Sequence, residues 1–367
     1  MDNFDQTTAL AILAATPLLG SVKIRLLLEH FGSPGCVLQA KPQEVKHAPG
    51  ITSKIMENWG WWQQDRSWHK NLELANKQGV SLIPFTHEKY PKCLTRLSDF
   101  PILLYVKGEL RDCDQRSLAI VGTRIATTYG KEMASKIACD LASLGFTIVS
   151  GLARGIDTAA HCGALQSGRT IAVIGSGLAN IYPRENESLA EAIANKGALI
   201  SEFPMTTPPG RQNFPQRNRV VSSLSLGIVL IEAPENSGAL ITMNKGWSQG
   251  LKLFALPGRA DSENFKLNHR LIKEGRATLV ENAEDVSNSF SKLFNMSIIN
   301  KDTPKLPSLE DEELGLFKQL PNEELSIEEI VLLTKLPISK LNILLMGLVL
   351  KKAMKELPGK MYKKSIT

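Results

Sequence analysis

The chain has 367 residues, of which 43% are apolar and 22% are charged, a composition typical of a folded protein with two or three domains. The net charge of +6 permits a nucleic-acid partner but does not require one, because many metabolic enzymes are equally basic. Five scattered cysteines without C-x-x-C spacing predict reduced thiols and a cytoplasmic location. Acidic residues precede the apolar run 9–20, and no apolar run is longer, so we expect neither a signal peptide nor a membrane partner.

Residues 1–78 are predicted to form a small helical domain of the SAM or helix-hairpin-helix type. Apolar residues recur at helical spacing in 9–13 and 22–31, and glycines interrupt the pattern. The turns at Gly20 and Gly50 resemble helix-hairpin-helix turns, whose amides can meet a DNA phosphate, although tight turns in any helical bundle share this pattern. Whether this domain contacts DNA is therefore left open.

Residues 79–285 have the pattern of an α/β domain, in which apolar, β-branched runs alternate with helical stretches. The predicted strands are 117–121, 147–150, 170–174, 198–201, 227–232, 252–256 and 278–280. The predicted helices are 129–144, 156–166, 187–194, 218–224 and 242–249. This alternation predicts an extended Rossmann-like fold, a mostly parallel sheet with helices on both faces.

The C-terminal part is predicted to be a linker followed by a winged-helix-like domain. Residues 286–308 are rich in Asn, Ser, Lys and Pro, a composition typical of linkers. Residues 309–367 contain three amphipathic segments, 314–320, 327–333 and 338–350, and then a hairpin-like turn. This is the order of a winged helix, which contacts either DNA or protein.

Four glycine-rich turns follow predicted strands, at the edge of a parallel sheet where ligands bind. The first turn is Gly122-Thr123-Arg124. The helix after it could offer free amides to an anion, and Arg124 suits phosphate. Because the spacing to Gly130-Lys131 does not fit a Walker A loop, ATP hydrolysis is not expected.

The second turn repeats the order of strand, glycine and arginine with Ser150, Gly151, Arg154 and Gly155. Asp157 and His161 follow on one helical face, where they can hydrogen-bond. A catalytic acid–base pair is one interpretation, but no nucleophile or third member is apparent. We therefore expect Asp157 and His161 to brace the turn.

The third turn, with Gly175 and Gly177, begins like a dinucleotide fingerprint. The third glycine of that motif should fall at residue 180, where the chain has Asn180, so NAD is not expected. A phosphate site that combines these turn amides with Arg184 is an alternative interpretation.

The fourth turn is rich in arginines and amides and contains one ring. This mixture suits single-stranded nucleic acid, because the three groups bind phosphates, base edges and base faces. Alternatively, the arginines pair with Glu202 or Glu232 at neighbouring strand ends. The candidate residues are Arg211, Asn213, Phe214, Arg217, Asn218 and Arg219.

Taken in order, these turns resemble the DprA/Smf (DNA-processing protein A) family over residues 90–280. Each motif is loose alone, but the ordered set is specific. The chain departs from the family pattern at Ala239 and near Asn268, where a usual glycine is missing. The matching segments are Tyr90-Pro91, Val106-Lys107-Gly108, 121–124, 150–157, Tyr182-Pro183, 201–204, 213–219, Glu232-Ala233, Ser237-Gly238 and Pro257-Gly258.

The resemblance implies a cytoplasmic protein without catalytic activity that binds single-stranded DNA, protects incoming strands and loads the recombinase RecA during natural transformation. It also implies a homodimer. It assigns DNA contacts to Arg124, Arg184, Arg217 and Arg219, and it adds Ser237 and Gly238 to the predicted site.

The main rival is an enzyme, a nucleotide hydrolase of the lysine-decarboxylase-like Rossmann group. That group needs a Pro-Gly-Gly-x-Gly-Thr loop followed by a catalytic Glu, and the corresponding segment 235–242 has no Glu after it within reach. A third alternative is a protein-interaction adaptor. The six histidines are scattered without H-x-x-x-H spacing, so neither a metal nor another cofactor is predicted.

Overall fold

The computed structural model describes residues 4–291, 309–351 and 353–365. The chain divides into two compact units, Met1–Ser289 and Phe290–Thr367. Residues 292–308, most of the predicted linker, lie outside the described residues, and a helix at Ala283–Asn288 covers the linker's first three positions. The domain boundaries at 78 and 308 stay predictions.

The N-terminal residues form short helices that pack on the sheet. Asp5 begins the first helix by accepting hydrogen bonds from the N–H groups of Thr7 and Thr8, and Gly32, at a φ of 85°, ends the second. Ile12 and Leu27 share one hydrophobic core with Tyr105 of the sheet. The helices are α1 Gln6–Ala15, α2 Ser21–Phe31, α3 Pro34–Gln39, α4 Pro42–Lys46, α5 Ser53–Met56, α6 Trp61–Gln64 and α7 Ser67–Lys77.

Within the described residues, nine strands form the large sheet: β1 Val80–Pro84, β2 Leu103–Gly108, β3 Ser117–Val121, β4 Thr147–Ser150, β5 Thr170–Val173, β6 Ala198–Ser201, β7 Gly227–Leu230, β8 Lys252–Ala255 and β9 Thr278–Leu279. Their order is β1-β2-β6-β5-β4-β3-β7-β8-β9. Strands β3 to β9 are parallel, and Leu118 of β3 lies opposite Ile148 of β4 and Gly227 of β7. The predicted α/β, Rossmann-like fold is confirmed.

Two strands at one edge, β1 and β2, are absent from the sequence-based prediction. They pair antiparallel with each other, and β2 pairs antiparallel with β6. The remaining order places β3 and β7 side by side, although β4, β5 and β6 come between them in the sequence. The strand order therefore reverses between β3 and β7, which is where open α/β sheets bind ligands.

The helices that cover this sheet are α8 Thr128–Ser143, α9 Ile156–Ser167, α10 Glu187–Lys196, α11 Asn213–Ser223, α12 Ala239–Ser248, α13 Lys266–Lys273 and α14 Ala283–Asn288. The predicted helices agree closely except α11, which begins at Asn213 rather than at 218. Pro215 is tolerated there because it lies in the first turn, where its missing N–H has no helical partner to lose.

The C-terminal unit has the element order of a winged helix. Helices Asp311–Gln319, Ile327–Thr334 and Ile338–Leu350 precede a hairpin of Met354–Leu357 and Met361–Lys364, and a short strand, Leu325–Ser326, pairs with the hairpin. No single helix among the described residues is long and apolar enough to cross a bilayer; helices 327–334 and 338–350 pass that test only as a pair bent by 111°.

The contact between α8 and α9 depends on a glycine. A Cβ at Gly163 would overlap the backbone oxygen of Ser135.

We expect Gly163→Ala to lower the free energy of unfolding by about 1–3 kcal/mol, because the added methyl group must push two packed helices apart. Urea unfolding measures this change. Gly35→Ala in α3 is the matched control: nothing lies within 4 Å of its added Cβ, so that variant should be unchanged or more stable by up to about 1 kcal/mol. Equal effects at both positions would contradict the packing argument.

Candidate nucleic-acid interface

A cleft of about 550 Å³ lies at the carboxyl ends of β3, β4 and β7. The turns after these strands form its floor, and the first turn of α11 and the start of α12 form its walls. It brings together predicted residues from three of the four glycine turns and from the Ser237 segment: Gly122, Thr123, Arg124, Gly151, Arg211, Phe214, Arg217, Asn218, Ser237 and Gly238.

Arg124 is an exposed cation of this cleft. Its guanidinium carbon lies 5.0 Å from the centre of the Phe214 ring, a distance at which a cation is attracted to an aromatic face. Arg124 forms no ion pair with any residue in the described part of the chain. A guanidinium held in this way, without a carboxylate, is available to an anion such as a phosphate.

The predicted amide cradle after β3 is already filled. The buried carboxylate of Glu232 accepts hydrogen bonds from the Thr127 N–H at 3.1 and 3.3 Å and from the Thr127 hydroxyl at 2.6 Å. A Cβ at Gly130 would overlap the same carboxylate. An outside anion therefore cannot use the Thr127 N–H as expected, and the Glu232 carboxylate places a negative charge at this helix N-terminus.

The second turn is filled in the same way by Asp157. Its Oδ2 accepts from the N–H groups of Gly151 at 3.1 Å and Ala153 at 3.3 Å. Ser150, also buried, donates its hydroxyl to the backbone oxygen of Ile120 at 2.7 Å. Burial raises the pKa of Asp157, while the Arg217 charge and the N–H donors oppose that rise. Asp157 therefore braces the turn.

Arg217 lies under the cleft, with 4% of its surface exposed. Its Nη1 donates to the backbone oxygens of Gly151 and Val173, and a Cβ at Gly151 would overlap the guanidinium. Burial lowers the pKa of Arg217 to about 10, and the Asp157 carboxylate opposes that shift. Since α11 begins at Asn213, Arg217 belongs to a buried helix face and ties the ends of β4 and β5 together.

Arg219 is also buried and turned away from the cleft. It pairs with Glu202, and its Nε lies 3.3 Å from Asp99 Oδ2. Arg219 thus forms the predicted ion pair with Glu202. Glu232, the other predicted partner, accepts hydrogen bonds from Thr127 instead. Asn213 is buried and donates weakly to the Pro208 oxygen at 3.5 Å. Of the three arginines predicted to contact DNA in this segment, Arg211 is exposed, whereas Arg217 and Arg219 are buried.

The remaining predicted residues lie around the cleft. Arg184 is exposed in a short turn before α10. Arg154 is exposed too, but its guanidinium makes two 2.8 Å hydrogen bonds to the Glu185 carboxylate. Gly155 begins α9 at a φ of 75° and packs on the Thr123 backbone, where a side chain has no room.

Gly175 and Gly177 have different surroundings. A Cβ at Gly175 would lie 3.1 Å from the Phe214 ring, so this glycine lets the ring approach the backbone. Gly177 faces the protein instead: its N–H donates to the Thr207 oxygen at 2.9 Å, and a Cβ there would overlap Met205 and Pro204. The phosphate site predicted from the third-turn amides is not formed at Gly177.

His161 does not pair with Asp157. Its Nδ1 lies 2.7 Å from the Thr170 hydroxyl of β5, so the predicted Asp157–His161 hydrogen bond is wrong. Each side chain braces a different element, since the ring of His161 faces the sheet. Burial, and then the Arg217 charge, lower the pKa of His161 to about 3.

Sequence reasoning missed one ring at this surface. Tyr182 is 41% exposed, and its ring centre lies 6.0 Å from that of Phe214. The peptide bond between Tyr182 and Pro183 is cis. The Tyr-Pro pair was visible in the sequence as a family motif, but nothing in the sequence placed it beside Phe214.

Among the described residues, no group of three His, Cys, Asp or Glu side chains could hold a metal ion. Asp157 is the acidic residue that lines the cleft, and its Oδ2 is occupied by two N–H donors. The exposed groups that the cleft offers are thus guanidiniums, amides and rings.

The α/β part of the chain that holds this cleft matches a known protein family. Residues 81–291 match the family described as DNA recombination-mediator protein A, which is more than half of the chain. The chain belongs to this family. It is 44% identical to the protein Smf of Escherichia coli over 209 residues, which are 56% of each protein's length. It is 39% identical to the DNA processing protein DprA of Bacillus subtilis, over 59% of this chain and 73% of that protein.

Two solved structures of family members are similar. The DNA processing protein A of Streptococcus pneumoniae has a TM-score of 0.67 and 31% identity, over 78% of this chain and 98% of that one. The protein from Helicobacter pylori, whose single-stranded DNA binding mode has been described, has a TM-score of 0.53 and 31% identity, over 58% of this chain and 96% of that one.

The buried His161 makes the stability of this protein depend on pH. Its folded pKa of about 3 lies below the ordinary value of 6.5, so the unfolded state binds more protons between these values. The stability that depends on neutral His161 is complete above pH 6.5 and is lost as the pH falls toward 3, by about 1.4 kcal/mol per pH unit.

Urea unfolding at pH 7.5 and 5.5 should therefore show that the free energy of unfolding falls less between these pH values in His161→Gln than in the wild type. His47→Gln, at an exposed position, should lose as much as the wild type; a wild-type loss in His161→Gln would contradict the assignment.

Proposed function

We propose that this protein is a single-stranded-DNA-binding recombination mediator that works in the cytoplasm without catalytic activity of its own. It binds DNA strands along the cleft, protects incoming strands and loads the recombinase RecA onto them during natural transformation, as a homodimer. Membership of the recombination-mediator family supports the general part of this proposal, as do relatives named for DNA processing and a relative described as binding single-stranded DNA.

The observation that carries the proposal is a contrast within the cleft: carboxylates of the protein accept hydrogen bonds from its backbone N–H groups, whereas the guanidiniums of Arg124 and Arg211 are exposed. Glu232 accepts a hydrogen bond from the Thr127 N–H, and Asp157 accepts from the Gly151 and Ala153 N–H groups, which a mononucleotide phosphate could otherwise use in a Rossmann-like site. Arg124 is exposed with its guanidinium carbon 5.0 Å from the centre of the Phe214 ring, and the exposed Arg211 lines the same cleft. Side-chain cations and rings are what a single strand requires, because its phosphates and bases alternate along the chain.

The same contacts argue against the nucleotide hydrolase. A hydrolase needs a carboxyl group that is free to move a proton at the substrate, and the Asp157 carboxylate is held by the Gly151 and Ala153 N–H groups beneath Arg217. Its surroundings favour a permanent structural role. Binding without chemistry is therefore the proposed activity.

The test is a salt titration of single-stranded DNA binding. Each phosphate neutralised on a single strand contributes about −0.7 to the slope of log K against log salt. We expect Arg124→Gln and Arg211→Gln each to weaken binding for all sequences alike and to flatten the slope by about 0.7. Fluorescence anisotropy with labelled oligonucleotides measures both quantities.

Arg111→Gln is the matched control for this titration. Arg111 is an exposed arginine that precedes β3, at the end of the strand opposite the cleft, and its removal changes the net charge by the same amount. Its slope should equal that of the wild type. A slope that changes equally in all three variants would mean that net charge, rather than the cleft, governs binding, and unchanged binding in the Arg124 and Arg211 variants would refute the site.

The finer parts of the proposal need separate measurements. Sedimentation equilibrium should give twice the mass of the chain for a homodimer. RecA assembly on a coated single strand should be faster with the wild type than with Arg124→Gln. A monomeric mass would refute the homodimer, and equal assembly rates would refute RecA loading through this cleft.

A further inference from the structure

We propose that Tyr182 is a base-stacking residue that extends the Phe214 ring into a shelf for two successive unpaired bases. The inference rests on the proposed function, because it names how the cleft holds the bases of a strand whose phosphates meet the arginines. The ligand it specifies is an unpaired nucleobase rather than a phosphate.

The two rings border one recess with Arg124. Tyr182, Phe214, Gly175 and Pro183 line a small cavity of about 30 Å³ together with Arg124. The ring centres of Tyr182 and Phe214 are 6.0 Å apart and their planes are tilted by 46°. Rings in this arrangement touch each other and form a continuous apolar surface, so a base that stacks on one ring has the second ring beside it for its neighbour.

Tyr182 has more free ring surface than Phe214. The Phe214 ring is half-buried, with the Arg124 guanidinium 5.0 Å from its centre and the Gly175 backbone against its edge. Tyr182 is 41% exposed. A flat, exposed ring next to a cation is the combination with which single-strand binding sites accept any base, because every base has a π-face.

The turn that carries Tyr182 is held rigidly. Asn186 is buried and donates its side-chain N–H groups to the Leu152 oxygen and the Thr158 hydroxyl, both at 2.9 Å. These bonds anchor the 182–186 turn to the second glycine turn. A ring presented by an anchored turn loses little conformational freedom when a base stacks on it, which favours binding.

The test compares two strands that differ only in their bases: a 20-nucleotide oligothymidylate and an abasic strand of the same length and charge. We expect Tyr182→Ala to bind the oligothymidylate about 5- to 150-fold more weakly, the loss of one base stack, and to bind the abasic strand as the wild type does. Tyr182→Phe should bind both strands normally, and the salt slope should not change in either variant.

Tyr129→Ala is the matched control. Tyr129 is also 41% exposed but packs beside Phe265 instead, so its removal should leave both affinities unchanged. A second readout avoids dependence on the alanine variant: 2-aminopurine in a strand bound to the wild type should be quenched by stacking, and Tyr182→Leu should restore its emission while it retains abasic binding.

The outcomes separate the two proposals. If the wild type binds neither strand, the proposed function fails and this inference fails with it. If the wild type binds both strands equally, or if Tyr182→Ala weakens abasic binding as much as oligothymidylate binding, the function stands and the stacking role is refuted. Loss of binding in Tyr182→Phe would also refute it, because the hydroxyl rather than the ring would then be the contact.

Discussion

The cleft depends on one buried charge cluster, the guanidinium of Arg217 with the carboxylate of Asp157. Arg217 donates to the backbone oxygens of Gly151 and Val173, while Asp157 accepts from the N–H groups of Gly151 and Ala153. A buried guanidinium without an acid would be strongly destabilising, and a carboxylate left without the guanidinium would be equally so. The two groups therefore hold the floor of the cleft in one position, and the exposed side chains above it inherit that rigidity.

Glu232 performs the same task on the other side of the cleft. It follows β7 and accepts hydrogen bonds from Thr127 at the start of α8. A carboxylate of the protein itself therefore lies where the strand order reverses between β3 and β7. A Rossmann-like fold usually keeps this position open for a ligand's phosphate. Here the fold keeps the geometry of a nucleotide site but supplies the anion itself, which leaves the side chains at the rim as the groups that meet an outside molecule.

The sequence predicted the parallel sheet and its glycine turns well, because a buried strand must be apolar along its length and a close turn must have glycine. It did not predict β1 and β2, the antiparallel strands at one edge, although β2 contains a buried apolar run, Leu103–Val106, as long as those of the parallel strands. It placed the start of the following helix at 218 rather than at Asn213, although the first helical turn accepts Pro215. Burial of Arg217 and Arg219 could not be predicted, because it depends on which face of α11 meets the sheet.

The departure near Asn268 has a local explanation that the sequence alone could not supply. The buried Asn268 side chain donates to the oxygens of Leu230, Ile231 and Leu256 and accepts from the Ala233 N–H. One amide thus joins the ends of β7 and β8. The neighbouring Leu267 fills the core, and Lys266, which stands two residues before Asn268 where a Gly-x-Asn pattern has its glycine, begins α13.

On the proposed function, the ion pair between Arg154 and Glu185 disfavours short ligands at the surface beside the cleft. Because Glu185 is tethered to the same chain, its local concentration near Arg154 is high, and a small free anion competes poorly with it. A strand already anchored at several other points presents its next phosphate at a comparable local concentration. Since an exposed ion pair of this kind is weak, it disfavours a mononucleotide without excluding a polymer.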